Sequence, residues 1–247
     1  MTARQATIVL AVPLACGIAM LVPACGSAPP ETTEPEPGAT GEGEGGAAEV
    51  DDSAPVAVEG VRGSIPQHRV ERVFQRKMDV LGECYGLALE DSESIEGGVE
   101  VALSVALDGS VEEVFLRGGD LGSDTAERCL VEKVGRMSFP EPAGGPAEVS
   151  YPLELEAPYD PPEPIDWGGA EIRAAIGENR GDVERCLGGE SGVRLTVWVG
   201  SGGRVISSGA TAQSADLWEA SRCLAEAAAE WSFPDPKQGI AKATVDL

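Results

Sequence analysis

Hydrophobic residues recur with two different periods along the sequence. Between residues 64 and 89 they are three or four positions apart, which predicts a helix. Between 99 and 105 they alternate with polar or small residues, and after an Asp-Gly turn signal the chain returns through 111–116, which predicts a β-hairpin. A second helical spacing begins near Ser123 and a last alternation covers 149–153, so the predicted order is helix, hairpin, helix, strand.

This pattern occurs twice. Residues 98–142 align without gaps with residues 192–236, and 14 of these 45 positions are identical. Helices that cover one face of an antiparallel sheet form a two-layer arrangement. We therefore predict an α+β fold of two tandem small two-layer domains, each with a three-stranded antiparallel sheet. They occupy residues 61–157 and 165–247 and are joined by a Pro-rich linker at 158–164.

The N-terminal segment predicts export and a lipid anchor. Residues 1–24 have a positive end and a short apolar run, which is typical of a signal peptide. The run ends in Leu-Val-Pro-Ala-Cys and resembles the lipobox of bacterial lipoproteins, which implies that Cys25 is diacylated. Cys16 is a weaker competing site, and an ordinary cleaved signal is the alternative. Ser27 favours the outer membrane, so we expect the protein in the envelope, lipid-anchored and facing the periplasm.

Composition separates a tether from the folded part and excludes several functions. Residues 25–60 are rich in Pro and Gly, with nine acidic residues and no basic one, which predicts a disordered acidic tether. The whole chain of 247 residues carries a net charge of −24, which argues against nucleic-acid binding and allows membrane attachment only through the lipid. With one histidine and no nucleophile or phosphate motif, we predict no catalytic residue, metal site or cofactor.

The folded part contains four cysteines, one in each predicted helix: Cys84, Cys129, Cys186 and Cys223. An exported protein is in an oxidising compartment, so disulfides are expected. Four cysteines allow three pairings, and the duplication favours Cys84–Cys129 and Cys186–Cys223 because each copy then has its own bridge. A metal site of four thiolates is the alternative, and the absence of any C-x-x-C spacing argues against it.

One strand departs from the pattern of polar outer faces. Trp198 shares a strand face with Arg194 and Thr196, opposite the apolar face of the same strand. An aromatic residue on an outer face is typical of a protein contact, so these three residues form a candidate interaction surface. The alternative is that Trp198 packs against the other copy.

The motifs taken together resemble a known domain family. Ile95-Glu96-Gly97-Gly98-Val99, Leu107-Asp108-Gly109 and Phe139-Pro140-Glu141-Pro142 resemble the TonB C-terminal domain. The cysteines and Tyr151-Pro152-Leu153 are closer to its AgmX/PglI C-terminal variant, although the second copy lacks the Tyr-Pro pair. The resemblance implies a non-enzymatic envelope domain that contacts other proteins, and TonB itself adds a partner peptide to a sheet edge.

Two functional hypotheses follow. The first is a non-enzymatic lipoprotein that acts as a tethered protein-interaction adaptor, in a motility or envelope-assembly complex, with other envelope proteins as partners. The second is a periplasmic receptor for a small ligand or cation, using the cleft between the two copies. A ligand-dependent rise in melting temperature without a protein partner would favour the receptor.

Overall fold

The computed structural model describes residues 62–159 and 161–247. Six α-helices and seven strands are present in these ranges. The helices are α1 (Gln67–Gln75), α2 (Met78–Asp91), α3 (Asp124–Gly135), α4 (Gly169–Glu178), α5 (Arg180–Leu187) and α6 (Trp218–Ala228). The strands are β1 (Gly97–Val105), β2 (Val111–Gly119), β3 (Ala147–Leu155), β4 (Ile165–Trp167), β5 (Val193–Val199), β6 (Val205–Ala212) and β7 (Ala241–Asp246). The α+β prediction is confirmed, and the predicted signal peptide, Cys25 and the tether lie outside the described residues.

The first copy has the predicted sheet. Its strand order is β2-β1-β3, with both neighbours antiparallel to β1. Along β3 every second residue is buried, because one face packs under the helices while the other faces solvent. Ser123 begins α3 as predicted, since its hydroxyl accepts a hydrogen bond from the Ala126 amide.

The second copy has one strand more than predicted. Its sheet has the order β4-β7-β5-β6, and β4 pairs with β7 in the parallel direction. This added strand is only three residues long and directly follows the Pro-rich linker, so it carries no alternation that a sequence pattern could reveal.

The first helix of each copy is broken, where the sequence pattern predicts a continuous helix. In the first copy α1 and α2 are separated by a tight turn, in which the Lys77 amide donates to the Phe74 carbonyl. Phe74 and Leu81, on either side of the break, are both fully buried. In the second copy Asn179 closes α4, since both its backbone amide and its side-chain amide donate to the Ala175 carbonyl.

Both disulfides are present with the predicted pairing. Cys84–Cys129 joins α2 to α3, and Cys186–Cys223 joins α5 to α6. Each bridge closes a loop of about 40 residues, and such a cross-link contributes about 4 kcal/mol in the chain-entropy treatment. Because every one of these sulfurs is bonded to another, the alternative of a four-thiolate metal site does not fit.

Candidate interaction site

The two copies pack together within one compact unit. Trp198 lies on the outer face of β5 and is fully buried in the hydrophobic cluster of the first copy. Its indole N–H donates to the Leu121 carbonyl at 2.8 Å, and the Lys242 ammonium lies 4.9 Å from the ring centroid. The contact therefore combines burial, a hydrogen bond and a cation–π interaction across the two copies.

This packing corrects the predicted interaction surface. Trp198 and Thr196 are buried, so they are closed to another protein in this structure, and the alternative of packing against the other copy describes Trp198. Arg194 stays partly exposed and holds Asp246 through two hydrogen bonds of 2.6 and 3.1 Å. This pairing raises the pKa of Arg194 and lowers the pKa of Asp246.

Two glycines allow the copies to approach so closely. Gly122 has φ of +69°, and a Cβ there would collide with Thr196 and Trp198. A Cβ on Gly209 would collide with the carboxylate of Glu127. The position equivalent to Gly209 in the first copy is Phe115, so only the second copy lacks a side chain at this point of the strand.

Glu127 places a carboxylate inside the contact between the copies. One oxygen accepts from the amides of Gly122 and Ser123, both at 3.2 Å, and the other accepts from the Ala210 amide on β6 at 3.0 Å. Burial raises the pKa of Glu127 to about 7, because the three N–H groups, which favour the charged form, only partly offset desolvation. The same hydrogen bond occupies the Ala210 amide at the outer edge of β6.

An open cleft of about 880 Å³ lies between the copies. The first copy lines it with Glu100, Arg117 and Glu154, and the second with Arg194 and Lys242. Each of these three cations already has an acidic partner, since Lys242 lies 2.8 Å from Asp120 and Arg117 lies 3.8 Å from Glu100. The described residues contain no group of three or more His, Cys, Asp or Glu placed to hold a metal ion.

The outer edge of β3 is the second candidate feature. The backbone groups of Gly98 on β1 point away from β3, because its amide donates to the Asp120 carboxylate and its carbonyl accepts from the Asp120 amide. Gly98 is opposite Glu154, so this is a non-hydrogen-bonded pair of the antiparallel ladder. By alternation, residues 148, 150, 152 and 154 all direct their backbone groups to the outer edge.

That edge has no partner strand among the described residues. Of the described strands, β1 alone is hydrogen-bonded to β3, whereas β2, at the other side of the sheet, lies beside β6 of the second copy. Within the described part of the chain, only the start of the β3 edge is occupied, where the Gly63 amide donates to the Pro146 carbonyl at 2.8 Å. Pro152 removes one N–H from the edge, as is usual for prolines in edge strands.

The equivalent edge in the second copy is occupied by β4. The Ile165 amide donates to the Ile240 carbonyl at 2.8 Å, which is the counterpart of the bond between Gly63 and Pro146. From there β4 continues beside β7 through Trp167. The repeat therefore accepts an extended segment at this edge, and only the second copy supplies one from its own described chain.

Sequence reasoning missed both β4 and Glu127. Glu127 looked like one of many acidic surface residues, yet its spacing from Leu130 and Val134 places it on the buried face of α3. This helical spacing is the signal that could have identified it. His68 lies exposed in the first turn of α1 and contributes to neither candidate feature.

Comparison with protein-family models, curated proteins and solved structures finds no significant match to this chain. Among the described residues, no helix has the length and apolar character needed to cross a membrane.

Proposed function

We propose that this protein is a non-enzymatic envelope lipoprotein that acts as a tethered protein-interaction adaptor. In this proposal Cys25 carries the lipid anchor in the outer membrane, and the folded part faces the periplasm. The repeats are TonB C-terminal-like modules of the AgmX/PglI type, and the assembly they serve is a motility or envelope-assembly complex. A partner protein binds by adding an extended segment to the outer edge of β3.

The open edge of β3 is the observation that carries this proposal. Its outward N–H and C=O groups at 148 and 150 have no backbone partner in the described part of the chain. Such unpaired groups are a template for an added strand. The pairing of β4 with β7 supports the choice of edge, because the same position of the repeat is filled there by an extended segment.

Photo-crosslinking in intact cells tests this proposal. A photoreactive residue at Glu148, on the exposed face of β3, should form an adduct with a partner protein, whereas one at Glu178, exposed on α4, should not. Ser150→Pro removes an outward N–H and should abolish the adduct, while Ser150→Ala, which keeps that N–H, should retain it. Equal adducts at both positions, or an adduct that survives Ser150→Pro, would contradict the proposal.

The cleft between the copies favours a second candidate, the periplasmic receptor for a small ligand or cation. Its volume of about 880 Å³ is within the range of small-molecule sites, and both copies line it. If this candidate is right, periplasmic extract freed of macromolecules should raise the melting temperature of the purified protein. Substituting Ser150 should leave that rise unchanged.

A further inference from the structure

The outer face of β3 determines which side chains an added strand would meet. A neighbouring strand follows the pleat of β3, so its side chains on the outer face lie across from Glu148, Ser150, Pro152 and Glu154. Two of these four residues are carboxylates. Glu148 is paired with Arg62 at 2.6 Å, and Glu154 has no ion pair with any described residue.

The region around Glu154 adds to this negative charge. Glu154 borders a cavity of about 650 Å³ that Glu96, Glu156 and Glu163 also line. None of these carboxylates has an ion pair with a described residue. Among the described residues Lys242 is the only cation lining this cavity, and it is already bound to the Asp120 carboxylate and the Glu96 carbonyl, at 2.8 and 2.9 Å. An ammonium or guanidinium group reaching this end of β3 would therefore meet uncompensated carboxylates.

The inner face of β3 is apolar and favours different side chains in an added strand. Val149, Tyr151 and Leu153 are buried, and Phe74 of α1 stacks on Tyr151 with ring centroids 3.9 Å apart. An added strand would place its inward side chains next to this apolar layer, where apolar residues are favoured. The protein's own segment at residues 26–60 carries nine acidic residues and no basic one, so it offers no cation to the carboxylates at this edge.

We infer that the segment bound at the β3 edge is a basic amphipathic strand of a partner protein, with Lys or Arg on its outward face and apolar residues on its inward face. The cation across from Glu154 contributes most to selectivity, because the carboxylates at that end of the edge have no ion pair with a described residue. This inference rests on the proposed strand addition and names the chemistry of the partner.

Binding of peptides to the full-length protein tests it. Three peptides matched to the nine residues of β3 carry valine at alternate positions and lysine, serine or glutamate between them. We expect the lysine peptide to bind about tenfold tighter than the serine peptide at low salt, and the glutamate peptide to bind weakest. The difference should shrink in about 1 M salt, where the screening length is about 3 Å.

Glu154→Gln should reduce the preference for lysine over serine about threefold. Glu178→Gln changes the net charge equally on α4 and should leave the preference unchanged. Ser150→Pro should abolish binding of all three peptides, with melting temperature measured to verify folding. A lysine peptide N-methylated at alternate backbone amides tests the ladder without changing the protein, and it should not bind.

The possible failures are distinguishable. Equal affinity of the three peptides, with all binding lost in Ser150→Pro, would overturn the basic partner and leave strand addition intact. Absence of any peptide binding, or binding insensitive to both Ser150→Pro and N-methylation, would overturn the strand addition itself. If spermidine displaces the lysine peptide at an equal concentration and Ser150→Pro has no effect, the edge is not the site and a small-cation receptor is favoured.

Discussion

The two copies share one fold but differ in the residues on the outer faces of their sheets. Arg194, Thr196 and Trp198 of β5 occupy the positions of Glu100, Ala102 and Ser104 of β1. In the second copy Thr196 and Trp198 are buried against the first copy. In the first copy Ala102 is also buried, whereas Glu100 and Ser104 are half-buried and Glu100 lines the open cleft. The second copy thus has a large aromatic residue at a position of this face where the first copy has a half-buried serine.

The equivalent edge strands of the two sheets, β7 and β3, also differ in charge and in their contacts. Lys242 on β7 and Glu148 on β3 are equivalent positions with opposite charge. Lys242 points to the first copy and binds its Asp120, whereas Glu148 is exposed at the open edge. The second copy therefore uses this edge in internal contacts, whereas the β3 edge of the first copy has no partner strand among the described residues.

Among the variants that test this comparison, we expect Trp198→Ala to have the largest effect on stability. Loss of the buried indole should cost about 4 kcal/mol, because a large cavity forms and the Leu121 carbonyl loses its donor. Urea unfolding followed by circular dichroism should show this loss and a separation of the copies into two transitions. Ser104→Ala, at the equivalent half-buried position of β1, should change the free energy of unfolding by less than about 0.5 kcal/mol. A small effect of Trp198→Ala would mean that the outer face of β5 is not essential for holding the copies together.

Glu127, which lies in the contact between the copies, makes the free energy of unfolding depend on pH. Its folded pKa is about 7, above the ordinary value of 4.5, so folding favours the protonated form. The stability it contributes is therefore full below about pH 4.5 and is lost as pH rises toward 7. Relative to Glu127→Ala, the wild type should lose about 3 kcal/mol over this range.

Urea unfolding at several pH values measures this loss. Glu132→Ala, on the exposed side of the same helix, should show no comparable dependence. A constant difference between wild type and Glu127→Ala would mean that the three amide donors keep the carboxylate charged throughout.

Substitution of Lys242 is expected to have the smallest effect on stability of the three tests. Its ammonium group is mostly buried and contacts Asp120, the Glu96 carbonyl and the Trp198 ring, so Lys242→Ala should cost about 1–2 kcal/mol. Arg62→Ala breaks an exposed ion pair with Glu148 and should cost less than about 0.5 kcal/mol. Thermal unfolding of the two variants measures these losses of stability. Equal losses would mean that the edge strand β7 of the second copy is no more important for stability than the β3 edge of the first.

Much of the fold could be predicted from sequence because local periodicity encodes it. The alternation along β1 and β3, the cap at Ser123 and the paired cysteines were all visible as patterns. The mutual position of the copies was not, since it depends on non-local contacts such as Trp198 against Gly122. The open edge was equally invisible, because the sequence of β3 resembles that of any half-buried strand and does not state which neighbours it has.

Pro152 and the two glutamates of β3 have one more consequence, for behaviour at high concentration. If the β3 strands of two molecules met antiparallel, Glu148 of each could face Glu154 of the other, and each proline would interrupt the ladder. Like charges would then repel at both ends of such a pair. We therefore expect the β3 strands of different molecules not to pair with each other, even at high protein concentration.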